Sequence, residues 1–170
     1  LREISKNRDK WLPMRQGKVT SSKIPTICGL NRFESVLELW AKDTGKLPPT
    51  EENDDMWFGT AMQPVIQAMV QRKHGIELLD ADCLVQHPDY EWAVASPDCW
   101  EIATDQDRGV VPIGITEIKN TSRFMAASWS DDAPVGPKLQ LQWQLGVCDL
   151  PSGHVAGLVG GSARGLRYYE

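Results

Sequence analysis

Apolar and polar residues follow a helical period through much of the first half of the chain. Residues 34–44 carry apolar side chains at helical spacing and are followed by Gly45, so they predict a helix that ends there. A longer helix is predicted from a cap at Asp54 or Asp55 to about residue 73, with Gly75 after its end. One apolar face supports it, repeated at intervals of three and four residues: Met62, Val65, Ile66, Met69 and Val70.

Two shorter segments flank these helices. Ser21 or Ser22 is predicted to cap a short helix that stops at Gly29. Residues 46–55 contain two prolines among polar and acidic side chains, and they predict a surface loop between the two longer helices.

After Gly75 the pattern changes to short β-branched runs separated by Asp, Pro and Gly, which is typical of strands. We predict strands at residues 76–79, 83–86, 91–95, 99–103, 113–119, 154–159 and 166–169. Another helix is predicted at about residues 137–147. This order predicts an α/β or α+β fold with a central mixed β-sheet flanked by helices.

Composition narrows the class of protein. With 170 residues, 41% hydrophobic and 24% charged, the chain is expected to form a single globular domain over residues 1–170. No apolar run reaches the roughly 18 residues that span a bilayer, and no leader-like segment opens the sequence. We therefore expect no membrane partner and a cytoplasmic location. Because Glu170 ends the sequence inside a predicted strand, we expect the natural protein to continue beyond it.

Cysteine and histidine lack the spacing of a soft-metal site. The four cysteines form no CxxC pair, so we expect reduced, mostly buried thiols: Cys28, Cys83, Cys99 and Cys148. Structural roles are likewise expected for the three histidines: His74, His87 and His154. Three tryptophans are predicted to pack in the core: Trp57, Trp92 and Trp143. For Trp100 and Trp129, core packing and stacking on unwound bases are both open.

The net charge of −5 argues against a nucleic-acid partner until its distribution is considered. Residues 1–25 contain seven Lys or Arg and two Asp or Glu, so they carry +5 and the remainder carries −10. Such a basic segment can bind phosphates, and a solvated basic terminus is the alternative.

The sharpest chemical signal is Asp98 followed, nineteen residues later, by Glu117, Ile118 and Lys119. A strand, a turn and a second strand fit into that interval, which returns Glu117 beside Asp98. Side chains alternate along a strand, so Glu117 and Lys119 share one face. Two carboxylates suit Mg²⁺, for which Mn²⁺ substitutes, and the Ile118 carbonyl can add a neutral ligand. On spacing alone, a surface salt-bridge ladder is the stronger interpretation.

Further motifs make the pattern more specific. Residues 96–98 (SPD) and 117–119 (EIK) resemble the signature of the PD-(D/E)xK nucleases. Additional segments resemble the lambda-exonuclease family, also called YqaJ-like viral recombinases: WLPMRQGKVTSS at 11–22, FGTAMQP at 58–64, NTS at 120–122 and QLQWQL at 140–145. Together they cover nearly the whole chain in the family's order. The resemblance implies a restriction-endonuclease-like core.

The resemblance also implies roles for individual residues. Asp98 and Glu117 correspond to metal ligands and Lys119 to the catalytic lysine. Lys119 is suited to position or deprotonate the attacking water, and two neighbouring carboxylates favour the charged, positioning form. Arg15 and Ser22 correspond to residues that bind a 5′-phosphate. The alternatives are a surface ion pair for Arg15 and a helix N-cap for Ser22.

Two glutamine positions complete the comparison. Gln140 corresponds to a helix glutamine that faces the active site, whereas a solvent-exposed amide is the preferred interpretation for Gln144, one turn further on. Gln63 stands where the family has a metal-binding glutamate, so it offers a carbonyl oxygen but no negative charge. A natural variant, an engineered inactivating substitution and a degenerate homologue all remain open.

The function that the resemblance implies is Mg²⁺-dependent 5′-to-3′ exonuclease activity on double-stranded DNA in phage-type recombination. It further implies a homotrimer, a single-strand annealing protein as partner, and a phage or prophage protein in a bacterial host. A structure-specific or restriction-type endonuclease on the same fold is one alternative. A catalytically inactive DNA-end-binding module, suggested by Gln63, is the other.

Overall fold

The computed structural model describes residues 2–3 and 13–170. Its α-helices are α1 (Ile24–Ile27), α2 (Val36–Asp43), α3 (Asp54–His74) and α4 (Val135–Cys148). Short 3₁₀ helices cover Ser21–Lys23, Arg123–Trp129 and Ala163–Gly165. The first part of the predicted basic segment, including Trp11 and Leu12 of the first motif, lies outside the described residues.

The strands are β1 (Arg2–Glu3), β2 (Leu78–Asp80), β3 (Cys83–Gln86), β4 (Val94–Ala95), β5 (Cys99–Asp105), β6 (Gly109–Thr121), β7 (Gly153–Val159) and β8 (Leu166–Tyr169). Five of them form a sheet in the order β2-β5-β6-β7-β8, in which β6 and β7 are parallel and the other pairs antiparallel. Strands β1, β3 and β4 form a smaller antiparallel sheet. The predicted central mixed sheet is confirmed.

Helices cover both faces of the larger sheet because its strands alternate apolar side chains between two cores. On one face, Ile66 and Val70 of α3 pack against Ile118 of β6. On the other, Leu141 and Leu145 of α4 pack in the same core as Ile115. Strand β6 is therefore enclosed between two helices. As a result, the polar residues Thr116 and Glu117 in its C-terminal half are buried.

Helix starts differ in detail from the predictions. Asn53, rather than Asp54 or Asp55, caps α3, because its side chain accepts a hydrogen bond from the Met56 amide at 2.9 Å. Gly75 ends α3 with a positive φ of 69°, as predicted. Ser35 begins α2 with a reciprocal capping box to Glu38.

The N-cap interpretation for Ser21 and Ser22 is wrong. Both residues lie inside the 3₁₀ turn that precedes α1, and Thr20 occupies the capping position, where its side chain makes no capping hydrogen bond to a backbone amide. The hydroxyl of Ser22 instead accepts a hydrogen bond from Arg15.

Strand bounds shift where turns intervene. Only Val94–Ala95 of the predicted strand 91–95 is a strand, since residues 91–92 form a turn. Strand β6 is longer than predicted because it continues back to the tight turn at Gly109. There the Asp105 carboxylate accepts from the amides of Asp107 and Arg108, both at 2.9 Å.

Two of the three predictions of a core tryptophan are wrong. Trp57 and Trp92 are 62% and 51% exposed and do not belong to the core. Trp143 is half-buried, and its indole N–H donates to the Val94 carbonyl at 2.9 Å. Trp129 is 3% exposed, which excludes base stacking on its ring, and Trp100 is half-buried against the same core. Of the four free cysteines, Cys83 and Cys99 are buried as expected, Cys148 is half-buried, and Cys28 is exposed.

Trp129 fixes the segment that follows β6. Its ring fills the space above Gly157, where an added Cβ would collide with the indole atoms. Tyr169 donates a hydrogen bond to the Trp129 carbonyl. The β6–β7 register pairs Gly157 with Lys119, so Trp129 packs one strand away from the predicted catalytic lysine.

Gly157→Ala is expected to lower the free energy of unfolding by about 1–3 kcal/mol, because the new methyl group overpacks a filled core. Urea unfolding followed by tryptophan fluorescence measures the change. Gly146→Ala is the matched control, since its site on α4 has no atom within 4 Å of an added Cβ, so alanine is expected to stabilise that helix. Equal stability of the two variants would contradict the described Trp129 packing.

Within the described residues, no helix is both long enough and apolar enough to cross a membrane.

Candidate active site

Asp98 lies immediately before β5 and faces the C-terminal part of β6. One carboxylate oxygen, Oδ2, accepts a hydrogen bond from the Ile118 amide at 2.8 Å. The other, Oδ1, accepts from the side-chain amide of Gln63 on α3 at 2.9 Å. The strand, turn and strand between the two acids therefore return β6 to Asp98, as the sequence predicts.

Glu117 and Lys119 project from β6 toward the same face. The Lys119 Nζ atom lies 2.5 Å from Glu117 Oε1, and the Glu117 side chain is only 4% exposed. Lys119 is one-third exposed, so it reaches from the buried carboxylate toward solvent. The surface salt-bridge ladder considered for this motif is wrong, because the carboxylates are buried.

Burial and charge act together at these groups. Burial raises the pKa of Asp98 to about 7, and the negative charge of Glu117 acts in the same direction. Burial alone would lower the pKa of Lys119, but the charges of Glu117 and Asp98 outweigh it and raise that pKa. Lys119 is consequently an ammonium ion at neutral pH, which agrees with a positioning role rather than general-base catalysis.

Gln144 of α4 is a buried partner of Glu117. It is 2% exposed, and its Nε2 atom donates to Glu117 Oε2 at 2.7 Å and to Ser21 Oγ at 3.3 Å. No donor in the described part of the chain reaches the buried Gln144 Oε1 atom. A buried amide oxygen in this state provides an acceptor for a water molecule or a substrate group.

The expectation that Gln144 is a solvent-exposed amide is wrong. Gln140, which was expected to face the active site, lies one turn earlier on α4 and is half-buried. Its catalytic role stays a prediction. The i, i+4 spacing of the two glutamines was the available signal, but the rotation of α4 against the sheet decided which one meets Glu117.

Arg15 and Ser22 contact each other directly. An Arg15 guanidinium nitrogen donates to Ser22 Oγ at 3.0 Å, and Ser22 Oγ is 3.1 Å from Thr20 Oγ1. Burial lowers the pKa of Arg15 to about 10, which still leaves it charged at neutral pH. Ser21, the residue between Thr20 and Ser22, accepts a hydrogen bond from Gln144. Because Gln144 also donates to Glu117, it links these hydroxyl residues to that carboxylate. The structure thus joins the predicted phosphate-binding pair to each other and links it indirectly, through Ser21 and Gln144, to Glu117.

The donor set suits a hard divalent cation with few protein ligands. No group of three or more Asp, Glu, His and Cys side chains converges anywhere in the described ranges 2–3 and 13–170. Two carboxylates do converge here. Burial and then the negative charge of Glu117 raise the pKa of Asp98, and a cation would relieve the repulsion between the two acids. Mg²⁺ often takes only one or two carboxylates together with water and substrate phosphates. Asp98 and Glu117 fit that requirement.

Gln63 and Ile118 were also predicted as metal ligands. Gln63 currently presents its amide nitrogen to Asp98, so it has to turn its oxygen toward a cation to act as a ligand. The Ile118 amide is engaged by Asp98, while its carbonyl stays a predicted ligand.

Glu101 is also a buried carboxylate, but it lies outside the group formed by Asp98, Glu117 and Lys119. It accepts from Thr116 Oγ1 at 2.8 Å and pairs with His154 Nδ1 at 2.7 Å. The hydrogen bond to Glu101, together with the negative charge of that carboxylate, raises the pKa of His154. His154 therefore has the structural role that its lack of metal-site spacing predicted.

The fold is shared with a solved alkaline exonuclease. Two structures of LHK-Exo from Laribacter hongkongensis superpose on 95% of this chain and 79% of theirs. One is an alkaline exonuclease structure, with a TM-score of 0.72 and 21% identity. The other is in complex with dAMP, with a TM-score of 0.73 and 19% identity.

The chain belongs to the YqaJ-like viral recombinase domain family, whose model matches residues 10–152. It is also 26% identical over 160 residues to the uncharacterized protein YqaJ of Bacillus subtilis (strain 168). That alignment covers 92% of this chain and 48% of YqaJ. The chain therefore spans about half the length of this relative. The resemblance inferred from the sequence motifs is confirmed.

Proposed function

We propose that this chain is a metal-dependent deoxyribonuclease domain that degrades double-stranded DNA from its 5′ ends. The observation that carries the proposal is the convergence of three side chains, two from β6 and one from the residue before β5. Asp98 contacts the Ile118 amide at 2.8 Å, and Lys119 contacts Glu117 at 2.5 Å. The nuclease signature thus corresponds to one buried cluster of two carboxylates and one ammonium group.

Family membership and fold support the same activity. A solved structure with the same fold is an alkaline exonuclease, and it has been solved in complex with dAMP. A deoxynucleoside monophosphate is the unit that an exonuclease releases from DNA. We extend that chemistry to this chain as a proposal, with Mg²⁺ as cofactor and Mn²⁺ as its substitute.

The cation, when bound, would neutralise charge on the scissile phosphate and lower the pKa of a water molecule. The residues of the chain have defined tasks around it. Asp98 and Glu117 would hold the cation, and Gln144 keeps the Glu117 carboxylate oriented. Lys119 places its positive charge beside the reacting phosphate and orients the attacking water. Arg15 and Ser22 bind the terminal 5′-phosphate, which sets the polarity of degradation.

The first experiment follows degradation of end-labelled linear duplex DNA with Mg²⁺, comparing 5′-phosphate with 5′-hydroxyl ends. We expect mononucleotide release from the 5′ end, faster with the phosphate. A covalently closed circle serves as the second substrate. Cleavage of that circle would support the endonuclease alternative and contradict an exonuclease.

Arg15→Ala is expected to remove the preference for a 5′-phosphate. A charge-assisted hydrogen bond contributes roughly 1.5–3 kcal/mol, which corresponds to about 10- to 100-fold in the ratio of kcat/KM values for the two ends. Arg108→Ala, in the turn between β5 and β6, is the matched control and should keep the preference. A phosphate preference that survives Arg15→Ala would place the phosphate pocket elsewhere.

A second candidate function rests on Gln63. Because an amide takes the place of a third carboxylate and donates to Asp98, a DNA-end-binding module without cleavage is the alternative. It predicts binding of DNA ends with no product, even at high Mn²⁺.

We also propose a homotrimer and a single-strand annealing protein as partner. A phage or prophage origin within a bacterial cytoplasm stays a prediction.

A further inference from the structure

Two phenylalanines, one before α2 and one just after β6, project into solvent. Phe33 and Phe124 are each 83% exposed, the highest value among the exposed large hydrophobic side chains of the described residues. Each is next to an arginine that lies over its ring, with the guanidinium carbon of Arg32 4.7 Å from the Phe33 centroid and that of Arg123 5.2 Å from the Phe124 centroid. We refer to these four residues as the Arg–Phe surface.

The two halves of this surface come from distant parts of the chain and meet in space. Arg32 lies in the connection between α1 and α2, and its guanidinium contacts the sulfur of Met125 at 3.9 Å. Met125 directly follows Phe124. The Arg123–Trp129 segment begins two residues after β6 ends at Thr121, and β6 carries Glu117 and Lys119. The Arg–Phe surface therefore adjoins the catalytic strand.

Both rings are held outward by well-anchored backbone. The Phe33 amide donates to the Asn31 side chain at 2.9 Å, and Asn31 donates to Thr26 Oγ1 at 2.8 Å. On the other side, Arg123 packs against Gly160, whose amide donates to the Thr121 carbonyl at 2.9 Å. Buried Trp129 anchors the end of the same segment. The exposure of the rings is thus a built feature of the fold.

The chemistry of the surface matches a nucleotide with an unpaired base. An aromatic ring offers a stacking face for any base, and an adjacent guanidinium offers a positive charge for its phosphate. An apolar protein partner would have to cover these two guanidinium groups as well as the rings.

We propose that the Arg–Phe surface binds unpaired DNA bases by stacking, beside the active site. The proposal rests on the proposed DNA substrate and adds single-stranded DNA as a distinct ligand with its own binding residues. Its stacking energy is independent of the metal site, so it can be measured without cleavage.

The test measures binding of a short single-stranded oligonucleotide containing 2-aminopurine, with EDTA present to prevent hydrolysis. Wild type, Phe33→Ala, Phe124→Ala and the double variant are compared, with blunt duplex DNA as the second ligand. Tyr90→Ala, which removes a 53% exposed ring from the β3–β4 connection, is the matched control. Thermal melting confirms that each variant is folded.

We expect each phenylalanine substitution to raise the Kd for the single strand about tenfold, with reduced quenching of 2-aminopurine fluorescence. Blunt-duplex affinity should change much less, and Tyr90→Ala should behave as wild type. Phe33→Trp should bind the single strand as wild type does, whereas Phe33→Leu should bind as weakly as Phe33→Ala. A leucine keeps the apolar bulk but has no ring on which a base can stack. This pattern distinguishes stacking from general hydrophobic contact.

Other outcomes overturn the inference in distinguishable ways. If wild type binds both DNA forms and the phenylalanine variants bind the single strand equally well, only the Arg–Phe proposal fails. If wild type binds neither form, the proposed function fails with it. Should the variants change the sedimenting mass while single-strand affinity stays constant, the rings contact another protein chain rather than bases.

Discussion

Lys119→Ala is expected to reduce nuclease turnover by about 10²- to 10⁴-fold, the range for loss of a group that orients or stabilises the transition state. The reason is specific to its surroundings. Its ammonium lies 2.5 Å from the buried Glu117 carboxylate, and the charges of Glu117 and Asp98 keep it protonated. No other residue of β6 can place a positive charge at the scissile phosphate. Initial rates of mononucleotide release at saturating DNA measure the change.

The binding of DNA ends should survive this substitution, because Arg15 and Ser22 belong to a separate cluster. Lys138→Ala is the matched control, since Lys138 also lies 2.5 Å from a carboxylate, that of Asp132, but both groups are largely exposed. Because removal of Lys119 leaves a buried carboxylate without its cation, Lys119→Met tests the same point with the side-chain volume retained. Undiminished turnover in either folded variant would remove the lysine from the mechanism.

Gln63→Glu is expected to lower the Mg²⁺ or Mn²⁺ concentration needed for half-maximal cleavage by at least about tenfold. If the chain is an inactive end-binding module, the same change should create cleavage where none existed. In the structure, the Gln63 amide nitrogen lies 2.9 Å from Asp98 Oδ1, so a glutamate there adds a third carboxylate to Asp98 and Glu117. A metal titration of the cleavage rate measures the effect.

The same substitution has a signature that needs no activity. A carboxylate facing Asp98 replaces an attractive hydrogen bond with repulsion, so the metal-free Tm should fall and its rise on adding Mg²⁺ should be larger than in wild type. Gln71→Glu is the control. It adds the same charge two turns along α3 and keeps the acceptor for the Leu78 amide, at 3.2 Å. If both variants respond to metal equally, position 63 is not in the metal site.

The two predictions separate the candidate functions. An active exonuclease requires that Lys119→Ala abolish a measurable activity and that Gln63→Glu improve it. An end-binding module has no activity for Lys119→Ala to remove, yet Gln63→Glu should generate one. If an inactive chain stays inactive with glutamate at position 63, Gln63 is not what prevents cleavage, and its proposed place in the metal site is contradicted.

Much of the fold was predictable because local patterns were strong. Apolar residues of α3 recur at intervals of three and four residues. This period predicts the helix, even though Pro64 lies inside it. Strand β6 was recognised but drawn too short, because its extension depends on pairing with β5 around the turn at Gly109. The local pattern of either strand does not predict how far the two strands pair.

The candidate site was predictable where a motif fixes spacing along one strand. Glu117 and Lys119 share a face because strands alternate, and Asp98 joins them through a hairpin of fitting length. Gln144 was assigned to solvent, since the helical period of α4 does not reveal which amide is rotated toward β6. Trp57 and Trp92 were misassigned to the core for a related reason, because burial of a large ring depends on what packs above it.

The sequence by itself determined the element order, the motif that pairs two acids with a lysine, and the family to which the chain belongs. Only the tertiary structure decided that Gln144 orients Glu117, that Gln63 donates to Asp98, and that Phe33 and Phe124 project from adjoining segments. Periodicity and spacing act through neighbours along the chain, so they are visible in the sequence. The rotation of a helix on a sheet and the meeting of distant loops arise from packing between elements, which no single segment encodes.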